Sequence, residues 1–173
     1  MSSRFYQYRV IAAMFVVAFS VVAPSNAGAQ AGFLPHVRVK AGVFLPSGGA
    51  LKSSSSDTWY KFGADVNIPI PLVGSTRIGI DYEASGSSRM IPITVTQIFQ
   101  PSAVVVKSPI YFGTGIGLWN THINGGGEAS RLGFRVLAGV EFKGCFAEAQ
   151  YDAVGRVSGA SADGISILVG KKF

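Results

Sequence analysis

The chain has 173 residues, 48% of them hydrophobic and 14% charged, with a formal net charge of +6 and a single cysteine. One cysteine excludes an internal disulfide, and beyond the N-terminus no apolar run approaches the roughly 20 residues that a membrane-spanning helix needs. The mean hydropathy of +0.35 must therefore be distributed along the chain, and distribution by alternation is what a membrane β-barrel requires.

Residues 1–27 read as a secretory signal peptide. Arg4 and Arg9 form a basic start, residues 10–23 are almost wholly apolar, and Pro24 ends that run before the small residues Ser25, Asn26, Ala27, Gly28 and Ala29. The apolar stretch is too short to span a bilayer, and small-x-Ala sites place cleavage after Ala27 or Ala29, and as late as residue 31. No cysteine lies near these sites, which excludes a lipid-modified N-terminal cysteine. Residues 28–173 then form one domain.

Eight segments of about the length of a tilted membrane strand follow, near 36–45, 58–68, 76–84, 88–98, 109–119, 131–142, 145–154 and 163–173. In the first, Val37, Val39, Ala41 and Val43 share one face and Arg38, Lys40 and Gly42 the other. In the second, Tyr60, Phe62, Ala64, Val66 and Ile68 oppose Lys61, Gly63, Asp65 and Asn67; in the third, Ile78, Ile80 and Tyr82 oppose Arg77, Asp81 and Glu83. The fourth contains Pro92, which removes a ladder donor and predicts a bulge or a shortened strand. The sixth is the clearest, with Leu132, Phe134, Val136, Ala138, Val140 and Phe142 set against Arg131, Arg135 and Glu141. The last ends on Ile165, Ile167, Val169 and an aromatic, Phe173.

On this register the polar face holds Arg38, Lys40, Lys61, Arg77, Arg131, Arg135 and Lys172 against Asp65, Asp81, Glu83, Glu141, Glu148 and Asp152. Near-cancellation suits a narrow lumen in which buried charges must pair. Arg89, Asp163 and Lys171 fall on the apolar face at strand ends, where a charge costs little. Tyr60, Tyr82, Phe134 and Tyr151 lie toward one rim, and Phe112, Phe142 and Phe173 toward the other, as aromatic girdles do. If the first strand runs outward, the Gly/Ser-rich connections 46–57, 120–130 and 155–162 are extracellular and the turn after Phe142 is a short periplasmic one. The connection 99–108 is long for that side, so the run Ala103 to Lys107 is expected to extend the fifth strand.

The stretch Pro109-Ile-Tyr-Phe-Gly-Thr-Gly-Ile-Gly-Leu-Trp119, with Leu137-Ala-Gly-Val-Glu141 and Leu168-Val-Gly-Lys-Lys-Phe173, resembles the small outer-membrane β-barrel proteins of the OmpA/OmpX-like and opacity-protein group. The resemblance implies an eight-stranded antiparallel up-and-down transmembrane β-barrel in the outer membrane of a Gram-negative cell envelope. It also implies that the barrel-assembly machinery recognises Phe173. Lys171 departs from the apolar or aromatic residue usual two places before the end. No periplasmic peptidoglycan-binding domain is expected after the barrel.

Few residues offer chemistry. Gly113, Gly115 and Gly117 line the inward face of strand five, either as a ligand-facing cleft or as room for large inward groups such as Arg135 or Phe146, and packing is the preferred reading. An eight-stranded barrel has an interior just wide enough for side chains or one small ligand, which argues against an aqueous pore. Glu141, Glu148 and Asp152 could do acid–base work, but Arg131 and Arg135 favour structural pairing. His122 precedes Asn124 where outer-membrane lipid deacylases use a His–Ser pair with an acidic partner, so the nucleophile is missing. His36 reads as an interface residue, and the two histidines lack ligands at metal-binding spacing. Cys145 reads as a small lipid-facing residue. No cofactor is expected. The cations alternate along strands without clustering, which argues against nucleic acid. Lys52, Arg89 and Arg156 near the outer rim are candidates for lipopolysaccharide phosphate contacts.

The expected role is non-enzymatic: a small outer-membrane, porin-like barrel contributing to envelope integrity or to surface interaction through its outer loops. The alternative is binding or lateral transport of a small hydrophobic molecule at the Gly-lined strand. A lipid-modifying enzyme and a soluble lipocalin-like barrel with its apolar face inward are further readings.

Overall fold

The structure, a computed structural model, describes residues 36–48, 57–70, 74–101, 109–125, 127–157 and 160–173. The expected signal peptide, Lys52 with most of connection 46–57, and the run Ala103 to Lys107 lie outside them.

The alternating segments form strands because each has one face that must leave water and one that carries charge. They are β1 (His36–Pro46), β2 (Trp59–Ile70), β3 (Gly74–Ser85), β4 (Ser88–Phe99), β5 (Ile110–Ile123), β6 (Gly127–Phe142), β7 (Cys145–Ala153), β8 (Arg156–Val157), β9 (Ala160–Ser161) and β10 (Gly164–Lys172). Eight of them close an antiparallel barrel in the order β1-β10-β7-β6-β5-β4-β3-β2, and β8 and β9 pair only with each other. The closure joins the first and last strands, β1 and β10, with Arg38 opposite Lys172 and Pro46 opposite Gly164.

Every strand holds the inside-outside assignment that its alternation predicts. Tyr60, Phe62, Ile116, Leu132, Phe142, Ile167 and Val169 are among many large apolar side chains exposed on the outside, while Arg38, Lys61, Asp81, Glu83, Arg135 and Asp152 are buried inside. That orientation ends the lipocalin-like reading, which needs the apolar face inward.

Four details differ from expectation. Pro92 neither bulges nor shortens β4: pairing with β3 lapses between Ile80–Ile93 and Glu83–Met90 without a change of register, while β5 pairs straight through Pro92–Trp119. The missing amide therefore costs a local gap on one side only. The expected loop 120–130 is mostly ladder, since His122 pairs with Glu128 and Ile123 with Gly127 across a tight turn. Connection 155–162 contains the β8–β9 pair rather than plain loop. Arg131 and Glu141 leave the lumen, because β6 overruns the barrel: Arg131 is exposed beyond the last β6–β7 pair at Phe134 and Ala153, and Glu141 reaches the rim, where Lys172 meets it at 3.2 Å.

The short turns follow their residues. Lys143 and Gly144 both have positive φ, 50° and 79°, as a two-residue type I′ hairpin requires.

Candidate functional site

Inside the barrel, five cations (Arg38, Lys40, Lys61, Arg77, Arg135) face five anions (Asp65, Asp81, Glu83, Glu148, Asp152), all buried. Burying any one alone would cost several kcal/mol, so strand register must bring partners together. Lys40 Nζ lies 2.8 Å from Asp65 and 2.9 Å from Asp81. Lys61 Nζ lies 2.7 Å from Glu83, 3.3 Å from Asp152 and 3.5 Å from Asp81, and donates to Ser166. Arg135 grips both oxygens of Asp152, at 2.6 and 2.9 Å, and donates to Asp81 at 2.8 Å. Planar bidentate pairing of this kind is the strongest form such contacts take.

A second cluster sits nearer the chain termini. Arg77 donates to Glu148 at 2.6 Å; Tyr111 accepts from Arg38 and donates to Glu148, each at 2.8 Å. The Arg38 guanidinium stacks on the Phe146 ring, 3.6 Å from its centroid. Gly170 makes room for that ring and Gly139 for Tyr111, since a Cβ at either would meet the aromatic side chain.

Apolar groups pack toward both ends. Ile98, Tyr111 and Leu137 pack together at the lower end. At the upper end Phe44, Trp59, Met90, Trp119 and Ile123 pack with Val154, Val157 and Ala162, so residues of the β7–β10 connection cover the mouth. Asp163 pins that connection: its carboxylate accepts from the amides of Val154 (2.6 Å) and Gly155 (2.7 Å) and from the Ser161 hydroxyl (2.9 Å). Partial burial alone would raise its pKa, but the hydrogen bonds from Gly155, Ser161 and Val154 outweigh it and hold the carboxyl below its usual range.

The predicted site residues scatter. A Cβ at Gly113 would meet Ile98 and Leu137, at Gly115 Thr96 and the Val95 carbonyl, and at Gly117 Thr94, Trp119 and the Ile93 carbonyl. Side chains and carbonyls of the neighbouring strands thus pack directly against all three glycines, and Arg135 lies across the ladder from Gly115. Arg89 is half-exposed and lies 3.6 Å from Glu128; Arg156 is exposed on β8. His122 Nδ1 lies 3.4 Å from Glu128 but without hydrogen-bond geometry. A carboxylate partner for His122 was not foreseen in the sequence, six residues away across a turn; Asn124 stands where the deacylase serine would. Among the described residues no cluster of His, Cys, Asp and Glu could hold a metal. The apolar upper cap and the Asp163 anchor were also missed, because both depend on a loop folding over the mouth.

No family model matches the chain, and no curated protein matches it. Among solved structures, Neisserial surface protein A is similar, at 19% sequence identity over 80% of this chain and 97% of that one, with a TM-score of 0.58. The likeness is one of fold, and it agrees with the resemblance borne by the Pro109–Trp119 strand and the C-terminal strand. By its architecture, this chain shares the closed eight-stranded antiparallel barrel of the small OmpA/OmpX-like outer-membrane proteins.

Proposed function

We propose that the protein is an outer-membrane barrel of non-enzymatic role, which steadies the cell envelope or meets surface partners through its extracellular connections. The observation that carries this reading is the pairing of an apolar outer wall with a charge-balanced, capped interior. Such a wall needs lipid, and such an interior offers substrate no entry, which leaves the rims to make contacts. Phe173 serves as the assembly signal; its amide donates to Val37 at 2.8 Å, holding the C-terminus at the barrel seam. Lys52, Arg89 and Arg156 remain the residues proposed to meet lipopolysaccharide phosphates. Glu128 beside Arg89 competes for that role at one of the three.

The test replaces residues 155–162 with a two-residue Asn-Gly turn in the native host. Lost surface binding with unchanged resistance to bile salts supports a loop-borne interaction; sensitivity equal to that of a deletion strain supports envelope integrity. A variant and a deletion strain that both match wild type in both assays would contradict the proposal.

A further inference from the structure

The rim formed by the β6–β7 turn and the end of β10 carries charge that neither the lumen nor the outer connections use. Lys172 is neutralised by Glu141. Lys143 and Lys171 are exposed, and among the described residues neither has a side-chain carboxylate within ion-pair distance. Each instead lies over a ring, Lys143 Nζ 5.2 Å from the Phe142 centroid and Lys171 Nζ 5.3 Å from that of Phe173. The two lysines belong to one patch: Lys171 pairs with Cys145, Cys145 pairs with Phe142, and the Lys172 amide donates to the Gly144 carbonyl at 2.7 Å.

Above this patch the outer wall carries a shallow, open depression. Val136, Ala138, Ala149, Tyr151 and Ile165 line an apolar groove. Between it and the lysines lie the outward-facing Ala147 and Cys145, flanked by the exposed Val140 on β6 and by Ile167 and Val169 on β10. From Cys145 to Tyr151 a strand tilted by about 45° climbs roughly 14 Å along the membrane normal, close to half of a ~30 Å hydrocarbon core.

We propose that this face is a docking site for one phospholipid of net anionic headgroup in the periplasmic leaflet. The headgroup phosphate sits between the ammonium groups of Lys143 and Lys171, and an acyl chain lies in the groove over Ala149. Charge complementarity selects the headgroup, since two snorkelled ammonium groups flanked by phenyl rings at the interface attract anionic lipid. The span from the lysine patch to Tyr151 matches a chain confined to a single leaflet. It also gives a use to Lys171, an exposed cation on the otherwise apolar outer face of β10. This inference rests on the outer-membrane reading and on its orientation.

The experiment is native mass spectrometry of the mature barrel in nonionic detergent, titrated with phosphatidylglycerol and, separately, phosphatidylcholine of the same acyl chains. Wild type is expected to retain phosphatidylglycerol roughly tenfold better. The Lys143→Gln/Lys171→Gln double variant should lose that preference, Ala149→Trp should weaken retention of both lipids while keeping the preference, and Arg131→Gln, at the exposed end of β6 on the opposite rim, should behave as wild type. Excess inorganic phosphate should not displace the bound lipid. A wild type without preference, or a double variant that keeps it, overturns the docking site. A gel of the same samples, boiled and unboiled, separates the two levels: a heat-shifted barrel without lipid preference refutes this site alone, and a protein without the shift refutes the membrane-barrel reading as well.

Discussion

Arg135 holds both oxygens of Asp152 and one of Asp81, so Asp152 cannot be removed without leaving a buried guanidinium half-paired. Asp152→Ala should cost about 3–5 kcal/mol, measured by urea unfolding in lipid vesicles. The double variant Arg135→Met/Asp152→Leu should regain most of that loss, because a buried ion pair adds little over an apolar pair of similar volume. If the double variant is as unstable as the single one, the pair's role is more than mutual neutralisation. Gly139→Val tests packing rather than charge: its side chain would collide with the Tyr111 ring, and a loss of about 1–3 kcal/mol is expected from overpacking. At this scale the sequence showed which side chains point inward, since alternation alone decides that. It did not show which would meet. Lys61 reaches Asp152 on a strand 91 residues away, and such partnerships depend on stagger between strands, which no local pattern encodes.

Strand positions were legible for the same reason that the faces were, and their ends were not. The Gly- and Ser-containing stretch 120–130 looked like loop, yet continued pairing from Trp119–Arg131 to Ile123–Gly127 outweighed its composition. Pro92 looked like a break, yet its missing amide affects only the β3 side. The β7–β10 connection depended on a long-range fit: Val157 and Ala162 become buried only because Trp59, Met90 and Trp119 wait at the mouth. Asp163 is the lever on this element. Asp163→Ala should speed trypsin cleavage after Arg156 in the folded barrel, with Lys172→Gln as a control that leaves the rate unchanged. Its carboxyl is held below the usual range in the folded state, so the anchor's contribution is present above the unfolded carboxylate's pKa, near 3.9, and is lost as pH falls through the lower folded value. Acrylamide quenching of Trp59 and Trp119 should accordingly rise only in strong acid; a rise between pH 5 and 7 would assign the opening to another group. The orientation of the hairpins has its own test. Cys145 is free and exposed beside the β6–β7 turn, and an impermeant maleimide should label it only after the outer membrane is permeabilised. Labelling on intact cells would invert the topology.

At the scale of the whole barrel, a wall of outward-facing apolar side chains surrounds a charge-paired, hydrogen-bonded interior with an apolar cluster toward each end. That interior predicts no sustained conductance when the protein is reconstituted into planar bilayers, since an eight-stranded barrel is just wide enough for side chains to fill and the charges within it are mutually engaged. Stability in such a barrel comes from closure and from the buried network rather than from disulfides, which the lone cysteine cannot make. The central claim is that the apolar wall faces lipid in the outer membrane. Its most direct test is the gel mobility, with and without boiling, of the mature protein extracted from purified outer-membrane fractions. A compact band that shifts only on heating, in the membrane fraction, is the predicted result. A soluble periplasmic protein whose mobility does not change on boiling would contradict it.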